Sequence, residues 1–288
     1  MAADPREFMP RPGAPQSAGR RGAVPLRHQR GRVLFRRLAG DRGQHYFLYL
    51  PRSGTVNARV LVSVHGISRN AREHAEEFAR LAERHGVVLV APLFSADRFP
   101  GYQRLGRRAD RALEAILAEV GHLTGAFTRR VYLFGFSGGG QFVHRYAMAN
   151  PRRVRAYVLG APGWYTFPDP EQRYPRGIAP GDSRTGPRFE PEEFLRVPAT
   201  VVVGEHDGER DPSLRTDPRI DRQQGLNRIE RGRRWVQAMN LAARARGLAA
   251  PFRFELLPGA GHSFAQSAAD RGLEERVFRA LFGKNGGG

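Results

Sequence analysis

Eight short apolar runs punctuate this chain, and amphipathic helical patterns separate most of them; that alternation limits what it can fold into more than any other feature. Val33-Leu34-Phe35 and Tyr46-Phe47-Leu48-Tyr49-Leu50 read as an opening hairpin, and Val60-Leu61-Val62-Ser63-Val64 as a third strand. Val87–Val90, Val131–Phe134, Val154–Leu159, Thr200–Val203 and Phe252–Leu257 supply five more. Helical patterns fall after Asn70, where Phe78 and Leu81 share a face ahead of a stop at His85-Gly86, and over 110–120, 138–149, 225–246 and 270–282. Near-continuous Val and Leu runs suit strands buried on both faces. The expectation is therefore one α/β domain over residues 31–284, a mostly parallel sheet of about eight strands with helices on both faces. At 288 residues the chain is long enough to bury a full core.

Two segments break the rhythm. Residues 162–195 carry Trp164, Tyr165, Phe167, Tyr174 and Phe189 among Pro, Gly and charged residues, and read as a short lid-like or pocket-wall insertion. Residues 208–224 are polar throughout. Residues 1–30, rich in Pro, Gly, Ala and Arg, read as a flexible basic tail. No run approaches the length of a spanning helix, and no apolar h-region opens the chain, so a cytoplasmic protein is expected. The absence of cysteine excludes disulfide scaffolds, thiol nucleophiles and thiolate metal sites. The net charge of +19 comes almost wholly from arginine, since Lys284 is the sole lysine. No basic reading helix, stacking platform or zinc module accompanies it, so no specific nucleic-acid partner is expected.

Gly135-Phe136-Ser137-Gly138-Gly139 matches G-x-S-x-G, a pattern that arises by chance in roughly one chain in seven of this composition. Its placement carries more weight. A strand leads in and a helix leads out, as a nucleophile elbow requires: the serine sits on a strained turn, flanking glycines let neighbouring backbones pass, and the helix N-terminus favours developing negative charge. A serine hydroxyl needs a base. His262, in Gly261-His262-Ser263 directly after the last strand, belongs on the sheet edge that carries Ser137. His74, His85 and His122 read as surface or capping residues, and His144 lies too far down the helix after Ser137. Asp207, following strand Thr200–Val203, is the preferred acid for His262, with Glu205 and Asp211 as alternatives. A metal reading of Glu205-His206-Asp207 lacks further ligands at suitable spacing. Donors for an oxyanion are expected from the backbone N–H of Gly138 and of Ile67, the latter in His65-Gly66-Ile67-Ser68 after the third strand, with His65 shaping that loop.

Together these residues resemble the α/β-hydrolase superfamily over roughly 32–283, and more narrowly small single-domain esterases related to polyhydroxyalkanoate depolymerases and feruloyl-type esterases. The narrower likeness rests on the His-Gly loop, the Gly-Phe-Ser-Gly-Gly turn and Gly163-Trp164-Tyr165. The resemblance implies a serine hydrolase that cleaves carboxylic esters through an acyl-enzyme, with no metal or other cofactor and a small-molecule ester as its partner. Ser68, Tyr102, Trp164, Tyr165 and Phe167 are candidate substrate contacts, and Arg104 is a candidate partner for a carboxylate. Polyesterase, peptidase, amidase and thioesterase chemistry would use the same three side chains, and a catalytically silent binding module would keep the same fold. Secreted members often carry disulfides and a signal peptide; this chain shows neither, which favours a soluble intracellular ester over an extracellular polymer.

Overall fold

In the computed structural model, which describes residues 26–180 and 186–283, the eight apolar runs form one eight-stranded sheet. β1 (Val33–Leu38), β2 (Asp41–Tyr49) and β3 (Val60–Val64) are followed by α1 (Ala71–Arg84) and β4 (Val88–Leu93). Next come α2 (Ala109–Thr124), β5 (Val131–Phe136), α3 (Gly138–Ala149), β6 (Val154–Gly160) and α4 (Pro191–Phe194). The last elements are β7 (Ala199–Gly204), α5 (Pro218–Gln224), α6 (Arg228–Arg244), β8 (Phe252–Leu257), α7 (Phe264–Arg271) and α8 (Leu273–Phe282). In space the order is β1-β2-β4-β3-β5-β6-β7-β8. β2 runs antiparallel to both β1 and β4, and every other pair is parallel.

Burial follows the apolar runs: β3 and β7 are buried along their whole length. α1, α7 and α8 pack together on one face. On the other, α2 meets α3 through the Tyr146 hydroxyl donated to Glu114, and α3 meets α6 through His144 and Trp235. Phe78, Phe134 and Phe264 stack between sheet and helices, each burial contributing about 1.5–3 kcal/mol.

Local chemistry moves several boundaries. The helix expected over 270–282 is two helices, because Gly272 at φ 67° ends α7 and starts α8. α6 starts three residues later than its pattern: Gly225 stands at φ 111°, and the Asn227 side chain accepts the Glu230 N–H at 2.9 Å. The polar 208–224 stretch ends in a short helix, capped by Asp217 with Pro218 at its first position. Asn70 precedes α1 as anticipated but makes no cap bond; its side chain joins Ser68 and Glu73 instead. Of the basic tail, residues 1–25 lie outside the described residues, while Leu26–Gln29 form a 3₁₀ turn and Leu26 packs on the core.

Candidate active site

Parallel strands deliver their following loops to one edge of a sheet. The loops after β3, β5, β7 and β8 therefore meet, and four residues separated by up to about 195 positions converge: Gly66, Ser137, Asp207 and His262.

Ser137 sits between β5 and α3 at φ 51° and ψ −114°, a conformation that costs a non-glycine residue about 1–3 kcal/mol. Its neighbours make that turn possible. A Cβ on Gly139 would lie 2.0 Å from the Val64 carbonyl oxygen, and one on Gly135 would lie 2.3 Å from the Gly139 oxygen. The Ser137 N–H donates to the Gly160 carbonyl at 2.7 Å, tying the turn to β6.

His262 comes from β8, three strands away from β5, a span of roughly 14 Å at normal strand spacing. The return path crosses the end of β7 at Gly204, where a Cβ would fall 2.4 Å from the Ala260 oxygen. The His206 N–H donates to that same oxygen at 2.9 Å. The imidazole then lies with Nε2 3.1 Å from Ser137 Oγ and Nδ1 2.7 Å from Asp207 Oδ2. Asp207 is 4% exposed. Asp211 does not touch His262; it reaches the group indirectly, through Arg228. The fully buried Arg228 guanidinium donates to Asp207 Oδ1 at 2.9 Å, to Asp211, and to Ser213 Oγ at 2.7 Å. Arg228 holds the Asp211 carboxyl well below the usual carboxylate range. Glu205 turns away and accepts the Gly259 N–H at 3.0 Å.

The His65-Gly66 loop stands against the Ser137 turn: the methyl Cγ2 of Ile67 is 3.0 Å from where a Gly138 Cβ would be. Gly138 opens α3, where helix N–H groups have no intrahelical acceptor. His65 is fully buried, and burial pushes its pKa down to about 4, so it is neutral. Its Nδ1 donates to the Gly66 carbonyl at 2.7 Å, and its Nε2 accepts the Phe94 N–H at 3.0 Å. The Tyr102 hydroxyl donates to the His65 carbonyl at 2.8 Å. Tyr102 thus braces this loop from behind and does not line the cleft.

The cleft has a volume of about 390 Å³ and is lined by Ile67, Ser68, Ser137, Ser213 and His262, with Phe136 and Phe264 as apolar walls. Trp164, Tyr165 and Phe167 are not among its lining residues. Trp164 is buried between the guanidinium groups of Arg145 and Arg215, Tyr165 stacks on Trp235 with its backbone held by Gln224, and Phe167 joins the core. These aromatics pack the base of the insertion. His74, expected at the surface, is fully buried, bonded to Ser63 and stacked 3.7 Å from Phe264. Sequence reasoning missed Arg228 and Gly204. An Arg just after a capping Asn gives no signal, and Gly204 was one glycine among 34.

Among the described residues no cluster of His, Asp or Glu is arranged to hold a metal ion, and no helix is long and apolar enough to cross a membrane. No family model matches the chain, and no curated protein matches it. Solved structures do. The poly(3-hydroxybutyrate) depolymerase LpqC from Bordetella parapertussis superposes with a TM-score of 0.72 and 27% identity, covering 90% of this chain and 92% of that one. Poly(aspartic acid) hydrolase-1 from Sphingomonas sp. KT-1 gives 0.70 at 24% identity, covering 82% and 93%. An S-formylglutathione hydrolase from Agrobacterium tumefaciens gives 0.53 at 17%, covering 85% and 94%. The chain has the α/β-hydrolase fold. Its likeness to these proteins supports an enzyme of the hydrolase class.

Proposed function

We propose that this protein hydrolyses carboxylic esters through an acyl-enzyme formed on Ser137. The observation that carries the reading is the continuous path from Ser137 Oγ to His262 Nε2 at 3.1 Å and from His262 Nδ1 to Asp207 Oδ2 at 2.7 Å, opening into a cleft.

In this reading Ser137 Oγ attacks the ester carbonyl while His262 Nε2 takes its proton. Asp207 holds the Nδ1–H tautomer and stabilises the imidazolium, and the Gly138 and Ile67 N–H groups receive the oxyanion. The carbonyl re-forms as the C–O bond to the alcohol breaks, and His262 returns the proton to that alcohol. Water, deprotonated by His262, then attacks the acyl carbonyl and restores the Ser137 hydroxyl. Ser68 and Ile67 are the proposed cleft contacts of the substrate. The positioning role proposed for Tyr102 is exercised through the His65 carbonyl.

The likeness to LpqC favours polyester cleavage as a second reading, since its name carries a poly(3-hydroxybutyrate) depolymerase activity and the two chains match over nearly their whole lengths. The test is turnover of p-nitrophenyl esters of increasing acyl length, and of a 3-hydroxybutyrate oligomer, by wild type and Ser137→Ala. Loss of about 10⁴-fold or more in the variant, with the circular dichroism spectrum intact, is the expected result. Turnover retained by Ser137→Ala would sink the assignment. No turnover by either protein, with Ser137 still labelled by a fluorophosphonate, would move the reading to another acyl group.

A further inference from the structure

Glu73 is the only carboxylate in the described lining of the Ser137 cleft, and no arginine joins it there. In a chain with 47 basic and 28 acidic residues, a cleft lined by a carboxylate and no fixed cation runs against the composition. The two arginines nearest to Glu73 in sequence are engaged elsewhere. Arg69 donates to the Phe94 carbonyl and lies 4.6 Å over the Tyr102 ring, and Arg72 pairs with Glu76 at 2.8 Å. The side-chain partner of half-buried Glu73 among the described residues is Asn70, whose Nδ2 donates to Oε2 at 2.7 Å.

That bond sets the direction of the next. A carboxylate accepts and does not donate, so the Asn70 amide turns its NH2 toward Glu73 and its oxygen toward Ser68. The amide oxygen also accepts only. The Ser68 hydroxyl therefore donates its single proton to Asn70 Oδ1, at 3.0 Å, and keeps lone pairs for the cleft. Ser213, on the same lining, is fixed in the same sense: Arg228 donates to its Oγ at 2.7 Å, and its own proton goes to Asp211 at 2.5 Å. Two lining hydroxyls are thus acceptors beside a carboxylate whose Oε1 accepts no bond among the described residues. The side-chain donors left are neutral, the Ser263 hydroxyl and the second Asn70 hydrogen. Ser68 stands near the reacting serine, since a Cβ on Gly66 would lie 3.9 Å from its Oγ and 3.6 Å from Ser137 Cβ. The rest of the surface is apolar: Phe136, Phe264 and Ile67, the last 55% exposed.

We propose that this cleft selects esters that carry a protonated amine, with Glu73 reading the cation and Ser68 accepting from its N–H groups. An alkyl spacer packs on Ile67, Phe136 and Phe264, and the ester carbonyl lies at Ser137. The proposal deepens the ester-hydrolase reading above and rests on it for the place of that carbonyl. An ammonium leaving water needs a counter-charge and acceptors together, and this wall supplies both; an anionic group meets like charge. Glu73 also lies in the first turn of α1, where a carboxylate favours the helix dipole. That effect acts on stability and does not distinguish one substrate from another.

The first arm of the test compares kcat/KM, by pH-stat near neutral pH, for methyl esters of matched length that end in an ammonium, a methyl or a carboxylate. Acetates of matched amino and plain alcohols, run beside them, separate a cation on the acyl side from one on the alcohol side. On one of the two sides wild type should prefer the ammonium end over the methyl end about tenfold or more, and over the carboxylate by a wider margin. In Glu73→Gln the ammonium-to-methyl ratio should fall toward one, whereas Glu76→Gln, which removes the same charge from an exposed position on α1, should keep it. A wild-type ratio near one on both sides, or equal loss in the two variants, overturns the proposal and leaves the hydrolase reading standing. The second arm is calorimetric binding of pentylammonium, pentanol and pentanoate to Ser137→Ala, which needs neither turnover nor a folded Glu73→Gln. The ammonium should bind about tenfold or more tightly than the other two; equal affinities, or no binding of the ammonium, overturn the cation site. Tight ammonium binding with no ester cleaved by wild type, and no fluorophosphonate labelling of Ser137, keeps the cation site and overturns the hydrolase reading.

Discussion

On the β3 and β5 side of the cleft, neutral groups packed at close range fix the geometry; on the β7 side, charges do. The Ser137 turn is wedged by Gly139 against the Val64 carbonyl, and the facing loop is laced by a neutral buried His65 and the Tyr102 hydroxyl. The Asp207 segment has Arg228 behind it, bonded to Asp207 and Asp211, and beyond that the buried Arg231, which pairs with Asp221 at 2.7 Å and donates to the Gly163 carbonyl at 2.5 Å. The difference follows from length. A one-residue passage from strand to helix has few conformations, and excluded volume is enough to select one. The stretch from Glu205 to Asn227 is long and polar, and only directional, charge-assisted bonds can hold it. Burying a guanidinium costs several kcal/mol in lost hydration, which its partners must offset, so Arg228 is better understood as orienting Asp207 than as a source of stability.

That contrast can be broken at four points. Gly139→Ala should damage the neutral side most, because the added methyl meets backbone: about 3 kcal/mol of stability, read from the denaturant midpoint, with activity lost in proportion. A variant as stable as wild type would show that excluded volume does not set the turn. The second point is acid. His65 is held neutral in the fold with its pKa down at about 4, against about 6.5 when unfolded, so unfolding takes up a proton throughout that window. Its contribution is complete above pH 6.5 and is lost as pH falls toward 4, by about 3 kcal/mol; the buried His74 and His144, also pushed down by burial, add in the same direction. Urea midpoints unchanged between pH 7 and pH 4.5 would contradict this.

On the charged side, Arg228→Met should lower kcat about 10–100-fold, since Asp207 loses its second anchor, with a smaller rise in KM because the cleft residue Ser213 loses its Arg228 bond as well. Arg228→Lys keeps the charge and loses the fork, so it should recover only part of that rate. Equal falls in kcat and thermal stability, without recovery by Lys, would make the residue merely structural. Asp211→Asn should do least. Its carboxylate is over a third exposed and screened by solvent, so the cost is below about 1 kcal/mol. Because Arg228 depresses the Asp211 carboxyl, that contribution is present above the unfolded value of about 3.9 and disappears as pH falls below it, and it should shrink in high salt.

The sheet was legible because burial on both faces leaves a mark in consecutive residues: all eight strands lie on the apolar runs that suggested them. The gathering of Ser137, Asp207 and His262 was legible for a related reason, since each follows a strand directly and parallel strands end together. The aromatics of 164–167 were legible as large buried groups, but not by location, because a Trp between two arginines and a Trp lining a cleft look alike in sequence. His74 misled: its helical neighbours hide the fact that its side chain meets Ser63 on the sheet.

What the sequence determined by itself, then, was everything that depends on neighbours along the chain: strand against helix, the glycines around Ser137, the order in which the three side chains arrive. The tertiary structure alone decided which of Asp207 and Asp211 meets His262, that the β8 loop crosses over Gly204, and that Arg228 stands behind the acid. Those contacts join residues up to 56 positions apart, from Gly204 to Ala260, and their geometry is set by how loops cross the edge of the sheet, which no local pattern of side chains encodes.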